Sequence, residues 1–266
     1  MPQPTGTPTW IDLGSNKAES SRAFYQGLFG WSFADQGEEL GHYEMVAKDG
    51  NIIAGFMNVE GIPGPDGGPL VDRWDIFLAV DDIAARIDLA KKHGATVISE
   101  PMTMPETGSF ALITDPTGAA IGLWESLGFD GYTFTGTPGT PVWFELMTKD
   151  FDTAVEFYRD VFDFDIVPMG SDDDDEADPG FRYVTNGAGE KACAGICDAR
   201  TFLPADVTSF WRVYIEIEAT DPTLEKVKEL GGRVVDGPMD SPFGRCTTVA
   251  DPAGAILQLN AGSEAR

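Results

Sequence analysis

Trp10-Ile-Asp-Leu13 returns farther along the chain as Trp143-Phe-Glu-Leu146, and Ala23-Phe-Tyr-Gln-Gly-Leu-Phe-Gly-Trp31 returns as Glu156-Phe-Tyr-Arg-Asp-Val-Phe-Asp-Phe164. Both pairs are offset by 133 residues. A sustained period of this length indicates a repeated structural module rather than chance similarity. Candidate functional residues are therefore judged in pairs, one from each copy.

A second motif repeats near the end of each copy. Thr114-Asp-Pro-Thr-Gly-Ala119 returns as Ala250-Asp-Pro-Ala-Gly-Ala255, with an offset of 136 residues. The small drift between the two offsets indicates a short insertion in the second copy. We therefore predict a first module over residues 1–127, a linker over 128–140 and a second module over 141–266.

Each module divides again into two units of the same kind. Apolar residues at helical spacing predict helices over 16–29 and 82–93, and the second module repeats them over 153–162 and 222–230. Short alternating stretches bounded by Gly, Pro and Asp predict the strands around each helix. The chain is therefore predicted to be α+β, with four βαβββ units.

Composition limits the classes of function. The net charge of −26 argues against nucleic acid and anionic membranes as partners, because binding phosphate groups requires a basic face. No apolar run approaches the roughly 18 residues of a membrane helix, and Met1-Pro-Gln-Pro-Thr5 does not resemble a signal peptide. We expect a cytoplasmic monomer whose partner is a small molecule, since tandem modules can pair within one chain.

Two clusters contain residue types that can bind metal ions, but their sequence patterns do not favour a metal site. The acidic run Ser171–Asp178 lacks the spacing and glycine of an EF-hand, so a solvated loop is the better interpretation. Cys193 and Cys197 lie in a run of small residues that is typical of a buried strand. Three cysteines in total do not indicate a disulfide framework.

The four βαβββ units, the Phe-Tyr pair in the first helix of each module and the Asp-Pro-x-Gly motif before each last strand together resemble the vicinal oxygen chelate superfamily. That group includes glyoxalase I, bleomycin-resistance proteins and extradiol dioxygenases. The resemblance covers nearly the whole chain and implies two tandem modules with cupped mixed sheets. It also implies a divalent metal held by His, Glu or Gln side chains in the metal-dependent members.

The residues at the positions implied by that resemblance do not form a metal site. Counting along the strands places the expected ligands at Trp10 and Trp143, Asp75 and Arg212, Gly122 and Gln258, and Gly55 and Ile196. Indole, guanidinium and glycine offer no lone pair to a metal ion. We therefore expect no bound metal and no cofactor, while a register slip of one or two residues would bring in Asp12, Glu125 or Glu145.

The inner faces of the sheets suggest a different site. Strand alternation puts Asp12 on the face of Trp10, and Glu145 on the face of Trp143. An indole floor with a nearby carboxylate suits an aromatic ligand, with Asp12 and Glu145 as candidate catalytic acids or bases. The alternative interpretation makes the Trp residues core fillers. The remaining candidate ligand-binding residues are Trp10, Trp143, Asp75, Arg212, Tyr214 and Gln258.

Two pairings of these residues are open at the sequence level. A domain-swapped arrangement places Arg212 and Gln258 with Trp10 and Asp12, and the unswapped arrangement exchanges them with Asp75 and Gly122. The swapped set, with Arg212 and Gln258 beside Trp10 and Asp12, contains more side chains that can hydrogen-bond a ligand. We therefore predict that a neutral or anionic aromatic ligand occupies a Trp10/Arg212 cavity.

The leading functional hypothesis is a metal-independent protein that binds a hydrophobic, aromatic small molecule or natural product, and either sequesters it or converts it by acid–base chemistry. One alternative is a divalent-metal-dependent lyase, isomerase or dioxygenase. Another is a protein-interaction or regulatory module, for which the acidic surface is the hint.

Overall fold

The computed structural model describes residues 2–64, 67–132, 135–169 and 182–264. Within these ranges the chain forms two sheets of eight strands each and four α-helices. The predicted α+β fold with two tandem modules is confirmed. The acidic run Ser171–Asp178 lies outside the described residues.

Every quarter of the chain has the predicted order β-α-β-β-β. The strands of the first half are β1 Pro8–Ser15, β2 Ser32–Asp35, β3 Glu44–Lys48, β4 Asn51–Asn58, β5 Arg73–Ala79, β6 Thr96–Met104, β7 Gly108–Thr114 and β8 Ala120–Ser126. Those of the second half are β9 Pro141–Thr148, β10 Val167–Pro168, β11 Tyr183–Thr185, β12 Ala194–Asp198, β13 Phe210–Glu216, β14 Arg233–Ser241, β15 Gly244–Ala250 and β16 Ile256–Ala261. The helices are α1 Ala18–Phe29, α2 Ile83–Lys92, α3 Phe151–Phe162 and α4 Thr220–Glu229.

The two sheets have the same topology. The first has the strand order β2-β3-β4-β1-β5-β8-β7-β6, and the second repeats it as β10-β11-β12-β9-β13-β16-β15-β14. The first and last strands of a quarter run parallel, as β1 does with β4 and β5 with β8, and the other neighbours within a quarter run antiparallel. Each cupped sheet therefore contains both βαβββ units of one module.

The helices bury the aromatic residues that the repeat carries. Phe24 and Tyr25 of α1 are fully buried, and so are Phe157 and Tyr158 of α3. Helix α2 begins at a true cap, since the Asp82 carboxylate accepts the Ala85 backbone N–H at 2.9 Å. Burial of these paired rings explains why the Phe-Tyr motif returns in both modules.

Contacts between Cα atoms divide the chain into two compact units. The first comprises Met1–Thr9, Ile76–Gly131 and Phe144–Trp211. In it α2 packs against α3. The buried Tyr158 hydroxyl donates to Asp115 Oδ2 at 2.8 Å and accepts from the Trp211 indole at 2.7 Å. The Asp-Pro-x-Gly turn of the first module is thus bonded to a helix of the second.

The second unit comprises Trp10–Asp75, Tyr132–Trp143 and Arg212–Arg266. In it α1 packs against α4. The buried Ser21 hydroxyl of α1 donates to Asp251 Oδ2 at 2.6 Å. The Asp-Pro-x-Gly turn of the second module is therefore bonded to a helix of the first, which mirrors the arrangement in the other unit.

None of the helices in the described ranges has the length and apolar character needed to cross a membrane. Cys193, Cys197 and Cys246 are all free thiols, and Cys197 is buried within β12.

Candidate functional site

Asp12 on β1 is the centre of a small hydrogen-bonded group. The Trp10 indole nitrogen lies 2.8 Å from Asp12 Oδ1, so the two side chains share a face of the strand as alternation predicted. The Tyr43 hydroxyl, one residue before β3, donates to the same oxygen and also lies 3.0 Å from the indole nitrogen. Within the described residues, Asp12 Oδ2 accepts no hydrogen bond.

A glycine makes room for this group. Gly55 on β4 pairs directly with Asp12 across the parallel strands. A Cβ at Gly55 would overlap both the Tyr43 hydroxyl and Asp12 Oδ1. The strand therefore needs glycine at this position so that the tyrosine can reach the carboxylate.

Burial sets the protonation of Asp12. It raises the pKa of the Asp12 carboxyl to about 6, although the hydrogen bonds from Tyr43 and Trp10 favour the charged form and oppose the shift. The negative charge of Asp75 adds a smaller increase. Burial also raises the pKa of the Tyr43 hydroxyl, which keeps it a neutral donor. Asp12 therefore changes charge just below neutral pH, where a general acid or base is most effective.

Asp75 on β5 is the second acid of this group. Its Oδ1 accepts from Arg73 Nε at 2.8 Å, and its side chain is 22% exposed. Burial raises the pKa of Asp75, while the charge and hydrogen bond of Arg73 lower it. The negative charge of Asp75 in turn contributes to the raised pKa of Asp12.

Trp10 is largely covered in the structure. It is 5% exposed, so little of its ring area remains for the stacking on a ligand that the sequence predicts. Its indole N–H donates to Asp12 Oδ1. Trp143 in the second copy is only half-buried and keeps accessible ring surface.

The second module repeats part of this design. Glu145 on β9 is 6% exposed and pairs with Gly195 on β12. A Cβ at Gly195 would overlap the Tyr183 hydroxyl. Each copy thus places a tyrosine hydroxyl over a glycine that is level with an acid.

Sequence reasoning missed the two tyrosines. Tyr43 and Tyr183 are offset by 140 residues, whereas the first strands are offset by 133 and the Asp-Pro-x-Gly motifs by 136, so neither offset aligns the two tyrosines. In each module the tyrosine stands two residues before the strand residue that pairs with the glycine. Only the strand register reveals this shared position.

Arg212, Tyr214 and Gln258 are brought together on the second sheet. Arg212 Nη2 donates to the Tyr214 hydroxyl at 2.8 Å, and Nη1 lies 3.4 Å from Gln258 Oε1. The guanidinium carbon lies 5.2 Å from the centre of the Tyr214 ring, within the range of a cation–π contact. Thr248 donates to Gln258 Oε1 at 2.6 Å.

The sheet topology corrects the predicted Trp10/Arg212 cavity. β1 lies between β4 and β5 in the first sheet, whereas β13 and β16, which carry Arg212 and Gln258, belong to the second sheet. The charged neighbour of Asp12 is Asp75, as the unswapped alternative required. The hydrogen bonding between strands decides which candidate residues lie in the same sheet. Local sequence patterns do not show this hydrogen bonding.

Strand pairing aligns the counted ligand positions differently from the sets that the sequence predicts. In the strand register Gly55 pairs with Asp12 rather than with Trp10, and Gly122 pairs with Phe77 rather than with Asp75. In the second module Gly195, not Ile196, is level with Glu145. Gln258 is level with Tyr214 rather than Arg212.

The residues present do not fit the divalent metal that the fold implies. Phe77, Gly55 and Gly122 offer no donor, and the carboxylate Oδ1 atoms of Asp12 and Asp75 are already engaged by N–H and O–H groups. The guanidinium of Arg212 repels a cation. Among the described residues, no three His, Cys, Asp or Glu side chains are close enough together to hold a metal ion.

Comparison with known families agrees with the architecture. The model of the Glyoxalase/Bleomycin resistance protein/Dioxygenase superfamily matches residues 7–123 and again 140–259. The chain belongs to this superfamily. A two-module member is expected to match twice, and the repeated match corresponds to the two sheets.

Superfamily members with similar sequences have names of two kinds. "Putative glyoxylase CFP32" of Mycobacterium tuberculosis is 33% identical over 96% of this chain and 94% of its own length. "Anthracycline biosynthesis protein DauV" of Streptomyces sp. strain C5 is 32% identical over 94% of this chain and 91% of its own length.

Solved structures of the superfamily share the fold. The Mn(II)-bound glyoxalase from Novosphingobium aromaticivorans superposes with a TM-score of 0.63 at 16% identity, covering 96% of this chain and 82% of that one. The 2,3-dioxygenase LapB from Pseudomonas sp. KL28 gives a TM-score of 0.62 at 13% identity, covering 98% and 93%. At such identities the likeness concerns the fold alone, because function depends on the residues of the site.

Proposed function

We propose that the protein binds a planar, hydroxylated aromatic small molecule at Asp12 of the first sheet and exchanges a proton with it, without a metal ion. The observation that carries the proposal is the Asp12 carboxylate. Its Oδ1 is fixed by two donors, its Oδ2 is uncommitted within the described residues, and its pKa is raised to about 6 by burial. Such a group suits a ligand hydroxyl or an acidic C–H.

The class of ligand is supported by the names of relatives. Two of them, DauV and DnrV, are called anthracycline biosynthesis proteins and are 32% and 31% identical to this chain. Anthracyclines are hydroxylated polycyclic aromatic compounds. The half-buried Tyr43 ring beside Asp12 adds an aromatic surface for such a ligand.

The charge of Asp12 makes binding depend on pH. Above pH 6 the carboxylate accepts a charge-assisted hydrogen bond from a ligand hydroxyl, and below pH 6 this bond is lost. A charged hydrogen bond contributes about 1.5–3 kcal/mol, and the ionised fraction of a group with a pKa of about 6 rises about tenfold between pH 5 and pH 7.5, so affinity should rise by up to about tenfold.

The test is a titration with a hydroxyanthraquinone whose own hydroxyl does not ionise below pH 8, followed by quenching of tryptophan fluorescence. The wild type should show the rise in affinity with pH, and Asp12→Asn should bind weakly with no pH dependence. Asp49→Asn is the matched control, because Asp49 is exposed at the β3–β4 turn and its positive φ suits asparagine. Absence of quenching and of thermal stabilisation across a panel of aromatic ligands would overturn the proposal.

Proton exchange has a separate measurement. A bound aromatic ketone with an acidic C–H should incorporate deuterium from heavy water with the wild type and not with Asp12→Asn. Binding without Asp12-dependent exchange would show that the protein sequesters its ligand instead.

A further inference from the structure

We propose that Arg73 on β5 binds a carbonyl oxygen of the same ligand whose hydroxyl contacts Asp12, which makes that ligand a hydroxylated aromatic ketone or quinone. This inference rests on the function proposed above, because it concerns the same ligand at the same site. Asp12, Arg73 and Asp75 all lie in one compact unit of the chain, on the neighbouring strands β1 and β5.

The Arg73 guanidinium keeps most of its hydrogen-bonding capacity. Of the five N–H donors of an arginine, the one on Nε donates to Asp75 Oδ1 at 2.8 Å. Within the described residues, the N–H groups on Nη1 and Nη2 have no acceptor. The side chain is 39% exposed, so a ligand can approach these donors from solvent. Because Asp75 holds Nε, the two Nη atoms form the outer end of a fixed planar group.

The charge of the site favours an uncharged oxygen at Arg73. Asp12 and Asp75 contribute two carboxylates against one guanidinium, so the three side chains together are negative once Asp12 is ionised. These acids would repel an anionic substituent of the ligand. A carbonyl oxygen accepts hydrogen bonds from a guanidinium without adding a charge. The group bound at Arg73 is therefore a ketone or quinone oxygen rather than a carboxylate.

Asp12 and Arg73 are connected through Asp75, whose carboxylate bonds Arg73 and whose charge contributes to the raised pKa of Asp12. A ligand that contacts both residues must extend past the Asp75 side chain, as a fused ring system with its hydroxyl and carbonyl on different rings does. When the hydroxyl proton moves to Asp12 Oδ2, the O–H bond breaks and its electron pair delocalises through the conjugated rings to the carbonyl oxygen. The guanidinium of Arg73 then stabilises the charge that develops there.

The duplication provides an internal contrast. Trp74 and Trp211 occupy the same position in the two copies, so Phe210 stands where the first copy has Arg73. A phenyl ring cannot donate a hydrogen bond to a ligand. The fold therefore does not require an arginine at this strand position, and the carbonyl-binding group belongs to the first copy, together with Asp12.

The test compares 2-hydroxyanthraquinone with 2-anthrol, which has the same three rings and hydroxyl but no carbonyl, by quenching of tryptophan fluorescence at pH 7. The wild type should bind the quinone at least tenfold more tightly, and Arg73→Met should abolish that preference. Arg233→Met, which removes an exposed arginine at the start of β14, is the control for lost charge and should retain the preference. The infrared carbonyl stretch of the bound quinone should lie at a lower frequency in the wild type than in Arg73→Met.

Equal affinity of the wild type for the two probes would overturn the inference, and so would an unchanged preference in Arg73→Met. If Arg73→Met does not fold because Asp75 loses its partner, the double variant Arg73→Met/Asp75→Asn replaces it and is compared with Asp75→Asn. The double variant should lose the preference that Asp75→Asn keeps, and equal preferences would refute the role of Arg73. Equal binding of both probes that weakens in Asp12→Asn would leave the Asp12 proposal standing, whereas binding of neither probe would overturn both.

Discussion

Replacing Asp12 by asparagine should change how stability depends on pH. The pKa of Asp12 is raised by burial from its ordinary value of 3.8 to about 6, so the folded state binds this proton more tightly than the unfolded chain does. The stabilisation that Asp12 provides is therefore complete well below pH 4 and is lost as pH rises to 6. At about 1.4 kcal/mol for each pKa unit, the loss amounts to about 3 kcal/mol at pH 7.

The asparagine of the Asp12→Asn variant does not titrate, so the difference between the two proteins isolates this one group. We expect the free energy of unfolding of the wild type, measured by urea denaturation, to fall by about 2.4 kcal/mol relative to Asp12→Asn between pH 4 and pH 7, since part of the full loss occurs below pH 4. The raised pKa of the buried Asp251 has no contribution from Asp12, so its effect cancels in the difference. Parallel profiles for the two proteins would refute the raised pKa, and with it the proposed acid–base role.

Tyr43→Phe tests how the hydrogen bond from Tyr43 affects the pKa of Asp12. The Tyr43 hydrogen bond favours the charged form of Asp12, so its removal should raise the pKa of Asp12 further. The stability loss should then begin at the same pH as in the wild type, extend to a higher pH and be larger. Asp49→Asn should leave the profile of the wild type unchanged, because Asp49 is exposed.

Three further outcomes can be checked directly. Gly55→Ala should destabilise the fold by roughly 1–3 kcal/mol in urea denaturation because its Cβ overlaps Tyr43, whereas Gly14→Ala, whose Cβ would make ordinary contact with Val59, should cost much less. Tyr158→Phe should lower the melting temperature more than Tyr25→Phe. Within the described ranges the Tyr158 hydroxyl has two buried partners, whereas the Tyr25 hydroxyl has only the Trp74 indole; equal effects would contradict this. Protein purified without chelator should contain far less than one equivalent of divalent ion by mass spectrometry, and a stoichiometric ion would show that the carboxylates do ligate a metal.

Features that depend on local pattern were predicted well. The Phe-Tyr pair locates α1 and α3 because apolar residues at helical spacing bury one face. Strand β6 runs from Thr96 to Met104. It is an edge strand with mostly exposed residues and two register shifts around Pro101, so alternation does not reveal its length.

Features that depend on contacts between distant strands were not predictable. Alternation put Asp12 and Trp10 on one face, which the structure confirms. Alternation within β1 could not predict the contact of Tyr43 with Asp12, because Tyr43 lies next to a different strand. It also could not decide whether Asp75 or Arg212 would be the neighbour of Asp12. The sequence determines those choices through the packing of the whole chain.

The Asp-Pro-x-Gly turn of each half is bonded to a helix of the other half, and this limits how the chain can be divided into stable pieces. Ser21 of the first half depends on Asp251 of the second, and Tyr158 of the second half depends on Asp115 of the first. A polypeptide of half the length would lack one partner of each of these hydrogen bonds. It would expose the other partner and the helix faces beside it. Two such halves could exchange their turns with each other, so we expect an unfused ancestor of this protein to have worked as a homodimer. Severing the linker today should yield fragments that are stable only when they are produced together.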